Sequence, residues 1–126
     1  MPRAIVFTEK APAPPPSYSQ AVRAGGLIFV SGTAPVDPAT GRLVDGTAAT
    51  QVAQCLRNIE AILLAAGSSL DQIASATLVV AEEDDFAEIN AEWMRWFPTN
   101  PPARQGAKLP ARIPGLKVSI AVIAEG

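Results

Sequence analysis

The chain contains no histidine and a single cysteine, Cys55, among its 126 residues. Those counts exclude Ser-His-Asp and Cys-His nucleophile systems, histidine-containing zinc sites, cysteine-cluster metal centres and intrachain disulfides. Any chemistry must come from Arg, Lys, carboxylates, Tyr, hydroxyls or backbone groups. Charge is also sparse. Ten Lys plus Arg stand against twelve Asp plus Glu, a net charge of -2, and the basic residues form no run that would track a phosphate backbone. Nucleic acid is therefore not an expected partner. No stretch approaches the roughly 18 consecutive apolar residues of a membrane span, and Met1 to Lys10 lacks a basic segment followed by an apolar core. The expected setting is the cytosol, away from a membrane.

What is present is a core-forming composition, 48% apolar, enough for one buried core, so residues 1–126 read as a single domain. The prolines sit toward both ends, and none falls between Ala39 and Phe97. Helices belong in that gap. Val52, Cys55, Leu56, Ile59, Ile62, Leu63 and Ala66 recur at helical spacing, which predicts a helix over Thr47 to Ala66 stopped by Gly67. Cys55 lies in this stripe and reads as a small core residue. Ser69 to Gln72 predicts a capping box on a short turn, followed by a buried strand over Ala74 to Val80. A second helix is expected from Asp84 or Asp85, with Glu88 placed for a capping box and Phe86, Ile89, Trp93 and Phe97 buried, until Pro98 ends it.

Gly25 and Gly26 suit a two-residue hairpin turn between strands at Gln20 to Ala24 and Leu27 to Gly32. Arg104 to Leu109 and Leu116 to Ala124 predict two further strands around an irregular loop, and Ile5 to Phe7 an edge strand. The result is an α+β sheet with both helices on one face. Leu27 to Val30, Leu78 to Val80 and Ile120 to Ala124 are apolar at consecutive positions, so the face without helices needs a cover. A partner subunit is the economical one.

Arg104 follows Pro101, Pro102 and Ala103, a stiff approach that would aim a guanidinium suited to bidentate carboxylate pairing. Tyr18, the only tyrosine, would be held near the sheet edge with its hydroxyl available. In Ser31-Gly32-Thr33 the glycine would let a ligand or second backbone approach amide donors. Asn90 interrupts the apolar stripe of the second helix, where a buried amide must find partners, in a neighbouring loop or in a ligand. Glu82 to Asp85 form the only charge run, favourable at a helix start and without the companions a metal site needs. Trp96 is an interface candidate.

Taken together, SYSQAVRAGGLIFVSGTAPVDPATG, QCLRNIEAILLAAGSSLDQI, DDFAEINAEW, PPARQGAKLP and KVSIAVIAEG resemble the Rid family, the reactive intermediate deaminases also called YjgF-type or L-PSP proteins. The resemblance spans nearly the whole chain. It implies a chorismate-mutase-like α+β fold and a homotrimer with three clefts between subunits. It also implies hydrolysis of small enamines and imines, the 2-imino acids, to 2-oxo acids and ammonia, without metal or organic cofactor. By this resemblance Arg104 would clamp the substrate carboxylate and Tyr18 would close the cleft. Ser31, Gly32 and Asn90 would contribute to binding. Where members commonly have Cys after Arg-Ser, this chain has Gln105 and Gly106, whose backbone would still orient an attacking water. Pro16-Ser17 replaces the Gly-Pro before Tyr18. The Glu of the family's last strand aligns with Ala121, and Ser119 replaces another acidic residue on the same face, so acid-base help worth about 10²- to 10⁴-fold is missing. A noncatalytic carboxylate-binding trimer, a metabolite sensor or chaperone-like protein, is the alternative. Endoribonuclease or translation inhibitor, a third reading, fits an acidic chain without histidine poorly.

Overall fold

The computed structural model describes residues 2–126. Strands β1 (Ala4–Val6), β2 (Ala21–Ala24) and β3 (Leu27–Thr33) form a meander, and a small hairpin of β4 (Val36–Asp37) and β5 (Arg42–Leu43) follows it. Then come α1 (Ala48–Ala65), β6 (Ile73–Val80), α2 (Phe86–Trp96), β7 (Ala103–Lys108) and β8 (Val118–Glu125). The main sheet runs β1-β2-β3-β8-β6-β7. β6 and β7 are parallel, joined through α2, and every other neighbouring pair is antiparallel. A parallel pair cannot be joined by a tight turn, so this crossover is what carries the chain from the sheet interior to its edge.

Local signals account for most of these elements. Gly25 and Gly26 both have positive φ, 58° and 78°, as a hairpin turn that follows the strand twist requires. Thr47 caps α1, its hydroxyl oxygen accepting from the Thr50 amide at 3.2 Å. At the other end Ser68 N–H donates to Leu63 O and Gly67 N–H to Leu64 O, the paired closure that a left-handed glycine permits. One sheet face is packed by the helices: Ile28, Val30, Ala76, Leu78, Val118, Ile120 and Val122 meet Val52, Leu56, Ile59, Leu63, Ile89 and Trp93 in a continuous core.

Several expectations need correction. Ser69 does not cap the short helical turn at Leu70–Gln72; its hydroxyl bonds the side chains of Asp71 and Gln72 instead. α2 starts at Phe86 without a side-chain cap. Glu88 caps the neighbouring helix, its carboxylate accepting from the Ala49 amide at 2.7 Å, because the N-termini of the two helices lie side by side and both attract negative charge. Phe86 is 44% exposed and does not join the core. The β4-β5 hairpin was not expected, although Asp37-Pro38-Ala39-Thr40-Gly41 carries its turn chemistry: Asp37 accepts from Ala39 N–H through its side chain and from Gly41 N–H through its carbonyl. The helix-free face is also less uniformly apolar than the sequence runs suggest. The register puts Ser75, Thr77 and Ser119 there beside Phe29, Ile123 and Val79.

Candidate active site

Arg104 occupies the second position of β7, opposite Ala76, and so projects onto the helix-covered side of the sheet. Because β7 is the edge strand, no further strand buries it, and every residue of β7 is exposed. Its guanidinium lies 5.6 Å from the centroid of Phe86 and 5.6 Å from that of Trp93. Aromatic faces attract the cation without using its N–H groups. Among the described residues the Arg104 side chain makes no ion pair and no hydrogen bond. A charge thus held in direction, with its donors unspent, is suited to a planar oxyanion.

Gly106 is the next residue of β7 on the same side, opposite Leu78. A β-carbon there would come within 3.0 Å of the Leu78 carbonyl oxygen, so the glycine allows the two strands their spacing. Arg104 and Gly106 border a cleft of about 650 Å³ with Leu78, Val80, Phe86 and Lys108. On its other side Arg104 borders a second depression of about 510 Å³, shared with Asn90, Trp93, Pro101 and Pro102. The amide of Asn90 reaches only the sulfur of Met94, at 3.7 Å. The structure ties it to no loop, and it faces the same space as Arg104.

A second group forms at the far end of β3. The β3-β8 register slips between Val30 and Thr33, which pair with Val122 and Ile120. Ser31 and Gly32 therefore bulge opposite the single residue Ala121, and a bulge re-aims the groups it carries. Ser31 is pinned by its hydroxyl to Ser19 O at 2.6 Å and by its N–H to Gln20 O at 3.0 Å. A β-carbon at Gly32 would meet nothing within 4 Å. Ser31, Gly32 and Thr33 line a cavity of about 290 Å³ with Tyr18, Pro14 and Ile113.

One chain does not bring these two groups together. β8 and β6 stand between β3 and β7, a separation of about 14 Å at ~4.8 Å per strand. Ala121 pairs with Thr77, the position next to Ala76, so its side chain leaves the face opposite to that of Arg104. Arg104, Gly106 and Asn90 thus lie together at the β7 edge, and Tyr18, Ser31 and Gly32 lie together at the end of β3, with Ala121 across the bulge.

Residues 8–126 match the family described as Endoribonuclease L-PSP. The chain belongs to this family, the Rid proteins. It is 41% identical over 110 residues to a RutC family protein of Pyrococcus horikoshii, covering 87% of this chain and 86% of that one. It is 39% identical over 122 residues to the 2-iminobutanoate/2-iminopropanoate deaminase of Bos taurus, covering 97% and 89%. Among solved structures, the Rid protein YyfA of Yersinia pestis superimposes with a TM-score of 0.94 at 33% identity, covering 99% and 100% of the two chains. TdcF of E. coli with bound serine superimposes with a TM-score of 0.90 at 31% identity, covering 98% of each.

Three buried amides that hold this Rid protein's loops escaped the sequence reading. Gln20 accepts from Thr8 N–H and donates to the carbonyls of Thr8 and Pro12, fastening the proline-rich segment ahead of Tyr18. Asn58 donates to the carbonyls of Ala34 and Val36, just after the bulge. Gln51 donates to Gly115 O and accepts from Lys117 N–H, holding the loop that carries Ile113. For Gln51 and Asn58 the available signal was an amide set in an apolar helical stripe, which must find partners when buried. Cys55 is fully buried and donates weakly to Val118 O. Burial pushes its thiol well above the ordinary range, so it stays protonated and unreactive. Among the described residues no three His, Cys, Asp or Glu side chains group as metal ligands, and no helix is long and apolar enough to cross a membrane.

Proposed function

We propose that this Rid protein hydrolyses small 2-imino acids and their enamine tautomers to 2-oxo acids and ammonia, at sites formed between subunits of a homotrimer. The observation that carries the reading is Arg104, a guanidinium steered by two aromatic rings with its donors unengaged, at an exposed sheet edge. In this reading Arg104 pairs the substrate carboxylate. Backbone amides near Gly106, and near Gly32 of a neighbouring subunit, orient water, and Tyr18 closes the cleft. Water adds to the C=N carbon to give a carbinolamine, and its collapse to C=O expels ammonia. The intrinsic barrier of imine hydrolysis is low, so orientation and charge neutralisation supply useful acceleration without a dedicated base.

Tyr18, Ser31 and Gly32 can meet Arg104 only if the two groups come from different chains, and the family resemblance makes that assembly a trimer. The similarity to a mammalian 2-iminobutanoate/2-iminopropanoate deaminase and to serine-bound TdcF supports a small amino-acid-derived ligand. A second reading, a carboxylate-binding trimer without catalysis, is favoured by one feature: Ser119 and Ala121 leave the middle of the helix-free face without a carboxylate. Ammonia release from freshly generated 2-iminopropanoate, measured beside pyruvate binding by the same sample, separates the two. Acceleration over buffer supports the deaminase. Binding without acceleration supports the sensor.

A further inference from the structure

We infer that Gln20 is a positioning residue for Tyr18, the clasp that closes the proline-rich loop carrying the phenol. The inference rests on the reading given above, in which Tyr18 closes the cleft, and names what holds it there. Gln20 is only 5% exposed, and its amide bonds entirely within the chain. Oε1 accepts from Thr8 N–H at 2.8 Å, while Nε2 donates to Thr8 O at 3.0 Å, to Pro12 O at 2.9 Å and, at a longer 3.4 Å, to Ala11 O. These partners fix the amide's orientation, because only its oxygen can accept from Thr8 N–H and only its nitrogen can donate to carbonyls.

One side chain thus ties residue 20 back to residue 12, and Tyr18 lies in the loop between. The end of the loop after Tyr18 is held separately: Ser31 Oγ donates to Ser19 O at 2.6 Å and Ser31 N–H to Gln20 O at 3.0 Å. At the other end, among the described residues, Pro12 O accepts only from Gln20. Inside the loop Tyr18 N–H reaches Pro15 O at a long 3.5 Å, and Pro14, Pro15 and Pro16 have no amide donor of their own. The proline stretch is stiff, so a shift at Pro12 passes on to Tyr18 instead of being absorbed along the way. Without the clasp, Thr8 N–H and the carbonyls of Thr8 and Pro12 would turn to water, and the loop would open. All these bonds lie inside one chain and do not depend on a neighbouring subunit.

The test compares the parent with Gln20→Met, which keeps the length of the side chain and removes every one of its bonds, in the full chain. Val52→Ala, a core truncation on α1 that lowers stability and leaves those bonds in place, is the control. Tyr18 is the only tyrosine, so protein grown with fluorotyrosine gives a fluorine NMR signal from that ring alone. In Gln20→Met the signal should move toward its position in the unfolded chain, and kcat for 2-iminopropanoate should fall about tenfold or more, as misplacement of a closing group implies. Pyruvate affinity should stay within about threefold, because Arg104 stands on β7, outside the loop. Val52→Ala should leave all three as in the parent. An unmoved signal or an unchanged kcat in Gln20→Met would overturn the inference. The same changes in Val52→Ala would also overturn it, by tracing them to lost stability alone. If Gln20→Met does not fold, Thr8→Pro takes its place, since it withdraws only the Thr8 N–H; the same changes are expected at smaller size, and their absence counts against Gln20. A parent that fails to hydrolyse the imine would sink the deaminase reading, and the fluorine signal would then decide for or against Gln20 by itself.

Discussion

Replacing Arg104 separates ligand affinity from stability because of how its side chain is held. Its guanidinium lies 5.6 Å from the centroids of Phe86 and Trp93 and, among the described residues, makes no hydrogen bond or ion pair. Such contacts at an exposed site are worth about 0.5–1 kcal/mol, so Arg104→Ala should lower Tm by roughly 2–6 °C at this chain length. A carboxylate paired with the same guanidinium gains charged hydrogen bonds worth about 1.5–3 kcal/mol. Binding of a 2-oxo acid should therefore weaken by about 10- to 150-fold, far out of proportion to the stability change. Arg104→Lys should recover part of the affinity, since a point charge remains while the fork geometry is lost. Thermal unfolding and calorimetric titration of the three proteins, with light scattering to check assembly, test this directly. Unchanged 2-oxo acid affinity in Arg104→Ala would make Arg104 an ordinary surface residue. A fall in Tm of tens of degrees would show that it supports the fold.

Sedimentation and light scattering at micromolar concentration should report a homotrimer, and a stable monomer would remove the basis for a site shared between chains. Ala121→Glu should raise turnover by about tenfold or more if the helix-free face of one chain meets Arg104 of another, within the range of acid-base help; no gain alongside substantial parent activity would place the water under other groups. Gln51→Leu should cost about 2–4 kcal/mol in chemical denaturation, because Lys117 N–H and Gly115 O would lose their buried partner. The Cys55 thiol is raised in the folded chain from an ordinary value of 9.0, so its contribution to stability is complete below about pH 9 and declines as pH rises above it. Cys55→Ala should flatten that alkaline decline in denaturation curves, and an unchanged slope would locate its cause in other groups.

The regular elements were legible in the sequence because their causes are local. The stripe from Val52 to Leu63, the threonine before it and the glycine after it lie within one helix's reach, and Gly25-Gly26 encodes a turn whatever the rest of the chain does. The prolines ahead of Arg104 likewise announced a stiff approach to a strand. Contacts between residues distant in sequence were not legible. Glu88 has the spacing of a cap for its own helix, yet it serves Ala49, 39 residues away, because only the packed sheet sets the two helix starts side by side. Phe86 has the periodicity of a core residue, but α2 ends its crossover at a sheet edge, where the first turn overhangs β7 and the ring meets Arg104 in place of the core. Nor can one chain's pattern reveal that Ser31 and Gly32 bulge opposite Ala121, since that depends on how β3 and β8, almost ninety residues apart, slip past one another. Periodicity and capping act over a few residues and are written in order along the chain. Register, edge position and the separation of the β7-edge residues from those at the end of β3 arise from interactions between segments, and only the assembled sheet decides them.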